Sequence, residues 1–481
     1  MANLSYVRLT RLPRRHVALH GLGALLVVAG PLTALTPARA ATPALPPIGH
    51  VWTVMLENSD FLVTFGGGQS TNPYIASTLP AMGALIPDYY GTGHNSLDNY
   101  LSMISGQAPN TKTKGDCSDA SVLGGAAGVT FDADGQALLP RQPGVAVDPQ
   151  TLVAPPDETT LGCTFPASVK TLPDQLDEAG VSWKGYMEDV DASPDTKRTT
   201  CQYAGSSPKA GQDQSTKKTV DLYARKHDPF VYFHSITDRL AYCDAHDVAE
   251  PQLATDLASI ATTPQFSYIT PNLCDDAHDG SPVQSCSDGG QGGLPRADEW
   301  AKAHIPEILA SPAFKKDGLL ILTVDEGTEA ASCCGEPKSR NLPLTVDNGS
   351  ESSGDHGTTL GRGGGMIGTV MISPFIKPGT IDTDPTGVYD HYSYLRSMED
   401  IFHIGATKDI PGSDGLGHLG YAGSNAGSAP VVSYHEDIFN QPAGASPAAD
   451  LPELHLPVLL PVLGAALIAG SARQRRRRAR R

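Results

Sequence analysis

The sequence has no excess of basic residues and no CxxC pair, and these absences argue against two classes of protein. Its 35 Lys and Arg are outnumbered by 52 Asp and Glu, which gives a net charge of −17. A surface this acidic repels nucleic acid and anionic membranes, so we expect no nucleic-acid partner, and a phosphate-bearing ligand must be attracted locally. Without CxxC spacing, the eight cysteines do not resemble a zinc–thiolate site.

The two ends of the chain carry arginine-rich segments that are typical of targeting sequences. Residues 1–40 contain basic residues, an apolar run and the small-residue site Ala38-Arg39-Ala40, which predicts a secretory signal peptide. Residues 441–453 form a Pro/Ala-rich linker. Residues 454–481 end in an apolar stretch followed by seven arginines, which favours a C-terminal membrane anchor over a basic tail on a soluble protein. The folded domain is then expected at residues 47–440, on the outer face of the cell membrane.

All eight cysteines lie between these two ends. An even number of cysteines in an oxidising compartment predicts disulfides, although the pairing stays open and a zinc–cysteine site is the alternative. Residues 108–165 are rich in Gly, Pro, Asp and Ala, and we expect them to form a long excursion from the core that a Cys117–Cys163 bridge would pin.

Short apolar runs predict buried strands of a mostly parallel sheet, because polar and apolar residues do not alternate within them. The five runs are residues 51–56, 229–233, 266–269, 319–324 and 369–372. Helices are predicted at residues 97–104, 297–309 and 392–402. Strands that alternate with helices predict an α/β sandwich.

Polar side chains follow four of the predicted strands, at the edge where ligands bind in parallel sheets. They are Glu57 and Asn58 after the first, His234 after the second, Asn272, Asp275, Asp276 and His278 after the third, and Asp325 and Glu326 after the fourth. One acidic pair alone would be read as a turn or a helix cap, and His234 alone as a buried strand-end histidine. Four such ends together favour a site for a hard or borderline divalent cation.

Ser96 directly precedes an apolar stripe at helical spacing, so it lies at or near the N-terminus of a helix. The ordinary interpretation of such a serine is an N-cap. A helix N-terminus also attracts anions, and a hydroxyl placed there beside a metal can act as a nucleophile. These residues alone leave both interpretations open.

Four separated segments resemble, in order, a bacterial phosphoesterase family that contains acid phosphatases and phosphocholine-type phospholipases C. They are HVWTVMLENSDF, GTGHNSLDNYLSMISGQAPN, LLILTVDEG and YDHYSYLRSMEDIF. The family belongs to the alkaline phosphatase superfamily, so the resemblance implies an alkaline-phosphatase-like sandwich with a mostly parallel central sheet flanked by helices. In such relatives the nucleophile lies ten residues before the Gly that closes a (Thr/Ser)-Gly pair, and counting back from Gly106 gives Ser96.

The resemblance also implies the roles of individual residues. The metal ligands would be Glu57, Asn58, Ser96, Asp325 and Glu326. His94 would contact phosphate, and His278 and His391 would bind phosphate or protonate the leaving oxygen. Asp325-Glu326 stands where two-metal relatives carry an Asp-His pair, which favours a single divalent ion. His356 stays open between a site residue and a loop histidine.

The function that these observations predict is an exported, metal-dependent phosphomonoester hydrolase that acts through Ser96 and a phosphoserine intermediate. A phospholipase C-type phosphodiesterase on phospholipid head groups is the alternative, because the same core serves both reactions. A non-catalytic surface module is the alternative of another class, but such a protein would be expected to have lost the nucleophile or the ligands. Neither the metal, the exact phosphate ester nor the oligomeric state follows from the sequence.

Overall fold

The protein, seen here as a computed structural model, is a mixed α/β fold built on a large, mainly parallel sheet, as the sequence predicted. The structure describes residues 45–66, 72–107, 169–191, 222–278, 292–328, 363–404, 417–423, 431–435 and 437–442, with single residues at 113, 116, 165, 167, 286 and 333.

The strands within these residues form two sheets. They are β1 (His50–Leu56), β2 (Ala84–Ile86), β3 (Tyr89–Tyr90), β4 (Trp183–Met187), β5 (Asp247–Ala249), β6 (Phe266–Thr270), β7 (Gly318–Val324), β8 (Thr369–Ile372), β9 (Thr380–Ile381) and β10 (Tyr389–Asp390). The large sheet has the order β5-β4-β6-β1-β7-β8-β2-β9, and β10 pairs with β3 in a small one. The first five strands of that order run parallel, whereas β8 is antiparallel to both β7 and β2.

Helices cover the sheet. They are α1 (Phe61–Thr64), α2 (Leu79–Met82), α3 (Ser96–Ser105), α4 (Leu172–Ala179), α5 (His234–Thr237), α6 (Leu240–His246), α7 (Gln252–Asp256), α8 (Leu294–Ala310), α9 (Pro312–Asp317) and α10 (His391–Ile401). Short 3₁₀ turns lie at Arg225–His227, Pro229–Tyr232 and Gly420–Gly423, and a π turn lies at Tyr74–Thr78. The three predicted helices correspond to α3, α8 and α10, so each of those predictions is confirmed.

Four of the five predicted strands are present as β1, β6, β7 and β8, but the strand predicted at residues 229–233 is wrong. That segment is a 3₁₀ turn with one isolated bridge, between Phe165 and Phe233. Its apolar side chains are fully buried, and the ring of Phe230 packs 5.0 Å from that of Trp183. The unbroken apolar run therefore predicted burial correctly, but burial alone does not determine whether the backbone is a strand or a 3₁₀ turn.

Helices α3 and α10 pack against each other and bring the site to the sheet. All ten residues of α3 are buried, and the Tyr394 hydroxyl of α10 lies 2.7 Å from Thr53 Oγ1 on β1. Gly106 ends α3 in the left-handed region, where its N–H donates to Ser102 O. Asp390 caps α10 by accepting a hydrogen bond from Ser393 N, at 2.8 Å.

The prediction of disulfides is confirmed where the structure describes the cysteines. Cys274 and Cys286 are bonded to each other, and Cys243 and Cys333 are also disulfide-bonded, so none of the four can bind zinc as a thiolate. Cys117 and Cys163 lie outside the described residues, as does nearly all of the predicted excursion.

The predicted signal peptide, the predicted C-terminal anchor and most of the linker also lie outside the described residues. Within the part of the chain that is described, no helix is both long and apolar enough to cross a membrane.

We predict that Gly106→Ala destabilises the protein more than Gly180→Ala. Both glycines end a helix at positive φ, 66° and 72°, so each substitution costs about 1 kcal/mol for the left-handed backbone alone. A Cβ at Gly106 would also lie 2.2 Å from Leu419 O, whereas one at Gly180 meets nothing within 4 Å. Urea unfolding of both variants measures the difference in their free energy of unfolding. Equal losses would show that the backbone at Leu419 shifts without cost, which would contradict the prediction.

Candidate active site

The carboxyl ends of β1, β6 and β7 meet at one edge of the sheet, because β1 lies between the other two. Glu57 follows β1, and its N–H donates to Asp276 O in the loop after β6, at 2.6 Å. Asp325 follows β7, and its N–H donates to Leu56 O at 2.9 Å. Glu326 O in turn accepts from Ser59 N at 2.9 Å. The structure thus brings together the predicted acidic residues of two separate segments.

Ser96 is the first residue of α3, and its hydroxyl points away from its own helix. Asn95 occupies the N-cap position, without a capping bond from its side chain. Ser96 Oγ donates instead to Glu57 Oε2, at 2.7 Å. The Leu97 N–H of the first turn donates to Asp116 Oδ1 at 3.1 Å. The interpretation of Ser96 as a helix cap is therefore wrong, because Ser96 Oγ is directed at the carboxylate.

The turn before Ser96 is held by the side chain of Asn99. Asn99 Oδ1 accepts from the N–H groups of Thr92 and Gly93, at 2.8 and 3.0 Å. Asn99 Nδ2 donates to the carbonyls of Gly93 and Asn95, both at 3.1 Å. His94 is half-buried within this turn, two residues before Ser96. One amide side chain thus fixes the backbone that presents both predicted site residues.

Lys226 and His227, which the sequence analysis missed, bring positive charge to the same place. Lys226 is buried, and its Nζ donates to Ser96 Oγ and to Asp116 Oδ2, each at 3.2 Å. His227 Nε2 lies 3.3 Å from Glu57 Oε1, and its ring stacks on Tyr100 with centroids 5.2 Å apart. These contacts place an ammonium group beside the hydroxyl oxygen of Ser96.

Glu57 is fully buried, and every one of its carboxylate contacts favours the charged form. Glu57 Oε1 accepts from the Tyr100 hydroxyl at 2.8 Å, and Oε2 accepts from Asn58 Nδ2 at 2.9 Å in addition to Ser96. Burial works to raise the pKa of Glu57, but the nearby His227 and Lys226 outweigh it and hold that pKa well below its usual range. Glu57 is therefore an anion at neutral pH.

Asp325 and Glu326 have the opposite balance. Burial, followed by the charge of Glu57, raises the pKa of Asp325 well above its ordinary value. Burial and the neighbouring charge of Asp325 do the same for Glu326. The three buried carboxylates repel each other, and the nearby ammonium of Lys226, which pairs with Asp116 at 3.2 Å, lowers the pKa of Glu326 by less than burial raises it. The β7 end of the site is therefore short of positive charge among the described residues.

The predicted metal ligands fit a divalent cation at that end. Asp325 Oδ1 accepts from Asn58 N and Glu326 N, at 2.7 and 2.6 Å. Asp325 Oδ2 and Glu326 Oε2, in contrast, are buried and accept no hydrogen bond from any described residue. Buried carboxylate oxygens of this kind require a cation or a proton. Asn58 contributes its backbone N–H to Asp325, while its side-chain amide is turned to Glu57.

His391 and His278, the two histidines suggested for the leaving group, lie in contrasting environments. His391 is fully buried, and its Nε2 donates to Asp325 O at 2.7 Å, which leaves Nδ1 to accept from the Tyr89 hydroxyl at 3.3 Å. Burial lowers the pKa of His391 to about 4, so the ring is neutral above that pH. His278 is exposed, and its backbone N–H donates to Asp276 Oδ1 at 2.9 Å.

No contact that the structure describes links the other two histidines considered from the sequence, His234 and His356, to this site. His234 begins α5 rather than following a strand, and its Nδ1 lies 2.8 Å from Asp238 Oδ1 one helical turn on. The expectation of a strand-end histidine there fails together with the strand predicted at residues 229–233. His356 lies outside the described residues.

Relatives of this chain include phosphatases. It is 25% identical over 393 residues to a phosphatidylinositol-3-phosphatase of Mycobacterium tuberculosis, across 82% of this chain and 90% of that protein. It is 29% identical over 173 residues to a phosphate-repressible acid phosphatase of Penicillium chrysogenum, across 34% of this chain. The second match spans only 32% of the fungal protein's length.

Solved structures resemble the chain more distantly. A Vibrio parahaemolyticus protein of the alkaline phosphatase superfamily has a TM-score of 0.36 and 12% identity, across 74% of this chain and 67% of its own. The lipoteichoic acid synthase LtaP of Listeria monocytogenes has a TM-score of 0.37 and 11% identity, across 82% and 77%. TM-scores this low carry no argument about function.

The family model called Phosphoesterase family matches residues 69–405. That stretch covers most of the described structure and includes Ser96, Lys226 and Asp325. It extends over three of the four segments whose resemblance was noted in the sequence. This chain therefore belongs to the Phosphoesterase family.

Proposed function

We propose that this protein is a metal-dependent phosphomonoester hydrolase in which Ser96 is the nucleophile. The observation that carries the proposal is the position of Ser96 Oγ, 2.7 Å from Glu57 Oε2 and 3.2 Å from Lys226 Nζ at the start of α3. A structural serine at a helix start would bond to its own backbone. A hydroxyl held between a carboxylate and an ammonium group is instead suited to losing its proton and meeting an anionic phosphate.

The residues that would hold one divalent cation are Glu57, Asp325 and Glu326, with Ser96 and Asn58 beside them. The buried oxygens of Asp325 and Glu326 that lack hydrogen-bond donors among the described residues support this assignment. A cation bound there would lower the pKa of the Ser96 hydroxyl and offset phosphoryl charge.

The chain's own residues then carry the reaction in two steps. Ser96 Oγ gives up its proton to water and attacks phosphorus, and the new O–P bond forms as the bond to the leaving oxygen breaks, which gives phosphoserine. Lys226 stabilises the negative charge on Ser96 Oγ before the attack, and the N-terminal end of α3 adds partial positive charge toward the phosphoryl group. Water next attacks the phosphoserine, which frees Ser96 and releases inorganic phosphate.

The leaving oxygen needs a proton from a group that the substrate can reach. We assign this role to His278, because it is exposed in the loop that follows β6. His391 acts as a positioning residue, because its buried neutral ring donates to the backbone carbonyl of Asp325. His94, in the turn held by Asn99 two residues before Ser96, is assigned the contact with phosphate.

The names of the relatives favour a monoester over a phospholipid diester. Both the Mycobacterium tuberculosis protein and the fungal protein are named as phosphatases, and the former as one that acts on a phosphoinositide. The disulfide between Cys274 and Cys286 supports our further proposal that the protein is exported, because disulfides persist in oxidising compartments. Tethering through residues 454–481 is part of the same proposal.

Replacement of the proposed nucleophile gives the first test. We expect Ser96→Ala to abolish turnover of p-nitrophenyl phosphate and to prevent formation of a phosphorylated peptide containing Ser96 in acid-quenched reactions. Ser105→Ala is the matched control, because Ser105 lies in the same helix and its hydroxyl bonds only to backbone groups, donating to Leu101 O at 2.6 Å and accepting from Gln107 N at 3.3 Å. Thermal melts verify that both variants fold. Activity of Ser96→Ala at the level of Ser105→Ala would refute the assignment.

Removal of the ammonium group gives the second test. We expect Lys226→Met to lower kcat/KM by about 100-fold, as for loss of one donor that stabilises developing negative charge. Lys226→Arg should recover part of the loss. Lys184→Met is the control, because Lys184 also pairs with an aspartate, at 2.6 Å from Asp256 Oδ2, but outside the site. Equal kcat/KM values for the two Met variants would contradict the role of Lys226.

The substrate class is tested by assaying one preparation on several esters. We expect hydrolysis of p-nitrophenyl phosphate and of a soluble phosphoinositide, with no release of phosphocholine from phosphatidylcholine vesicles. The optimum should lie below neutral pH, because histidines that contact phosphate are cationic there. Phosphocholine release at a comparable rate would favour the phospholipase C alternative, and an optimum well above neutrality would contradict the role of the histidines.

A further inference from the structure

A second group of potential metal ligands lies between the β9–β10 loop and the C-terminal segment of the described chain. Ligand atoms of Asp384, His435 and Asp437 all lie within 4.8 Å of one another. Asp384 belongs to the loop that follows β9, and the other two belong to the segment that ends at residue 442. None of them belongs to the active site described above. Three side chains from two distant parts of the chain thus converge at the surface.

The loop holds its carboxylates in place with one oxygen each. Asp382 Oδ1 accepts from Asp384 N at 3.0 Å, and Asp384 Oδ1 accepts from the N–H and hydroxyl of Thr386, both at 2.8 Å. The second oxygen of Asp384 faces His435 Nδ1, at 3.6 Å. One oxygen of each aspartate therefore fixes the loop, and the other remains for a ligand.

The neighbouring Asp382 has a buried carboxylate oxygen without a hydrogen-bond donor among the described residues, which is a second indication of a ligand here. Its side chain is only 9% exposed, and its Oδ2 accepts no hydrogen bond from any described residue. It contacts the side chain of Asp437. Two carboxylates in contact repel each other unless a proton or a cation lies between them.

We propose that Asp384, His435 and Asp437, with Asp382 beside them, form a second divalent-cation site outside the active site. Carboxylates combined with one imidazole suit ions of the Zn²⁺ and Mn²⁺ class better than Ca²⁺, which prefers oxygen ligands alone. The bound ion would join the C-terminal segment to the β9–β10 loop. That segment already packs on α10, where Tyr434 N donates to Ser397 Oγ at 2.9 Å.

The proposal is tested by counting bound metal after the protein has been stripped with a chelator and titrated with Zn²⁺ or Mn²⁺. We expect Asp437→Asn and His435→Gln each to bind one equivalent less than wild type and to keep p-nitrophenyl phosphatase activity. Glu178→Gln is the matched control, because it removes the same charge from an exposed side chain. Asp325→Asn should instead lose the equivalent of metal that binds in the active site, so the active-site proposal is tested separately.

Thermal stability distinguishes a cation from a shared proton. In chelator, Asp437→Asn should melt above wild type, because one repelling charge is gone. In Zn²⁺ or Mn²⁺ the order should reverse, because only wild type gains the ion. Unchanged metal content in both Asp437→Asn and His435→Gln, or the same melting difference with and without metal, would overturn the proposal and leave an acid pair that shares a proton.

Discussion

The burial of three carboxylates at the ends of β1 and β7 is the constraint on which the rest of the site depends. Glu57, Asp325 and Glu326 are at most 2% exposed, and removing such charges from water costs several kcal/mol each unless opposite charge is supplied. The protein supplies part of that charge itself, through Lys226 and His227. The remainder falls at the β7 end, where two oxygens lack donors among the described residues. The strand ends thus create a site that a cation would complete under the proposed function.

Ser96, the proposed nucleophile, lies where the acidic half of this site, Glu57 with Asp325 and Glu326, meets the basic half, Lys226 and His227. Neither half holds Ser96 alone, because the hydroxyl donates to Glu57 and accepts from Lys226. The basic half comes from the 3₁₀ turn Arg225–His227, and Asp116 orients it by contacting both Lys226 and the first turn of α3. The reactivity proposed for Ser96 is therefore a property of segments far apart in sequence and not of its own helix.

The acidic half of the site could be predicted from the sequence, whereas the basic half could not, and the reasons are physical. Buried parallel strands are recognisable as apolar runs, and polar residues after them must share an edge, so Glu57 and Asp325 were predictable. Lys226 was not, because nothing in a basic residue beside an apolar run shows that it is buried. The same run, residues 229–233, was mistaken for a strand, since burial is visible in composition and a 3₁₀ turn is not. Tyr100 belongs to the apolar stripe that predicts α3, and an apolar stripe gives no sign of its hydroxyl bond to Glu57.

Net charge explains why the positive groups of the site are buried. A chain with a net charge of −17 repels a phosphate ester at long range, so surface lysines would be outnumbered in any approach to the protein. Salt screens such exposed charges within about 10 Å, whereas charges in a water-poor site are screened much less. A buried ammonium at 3.2 Å from Ser96 Oγ therefore acts only on an anion that has already entered. On the proposed mechanism, selectivity for phosphate is exerted at contact distance, by the same groups that would stabilise the reacting oxygen.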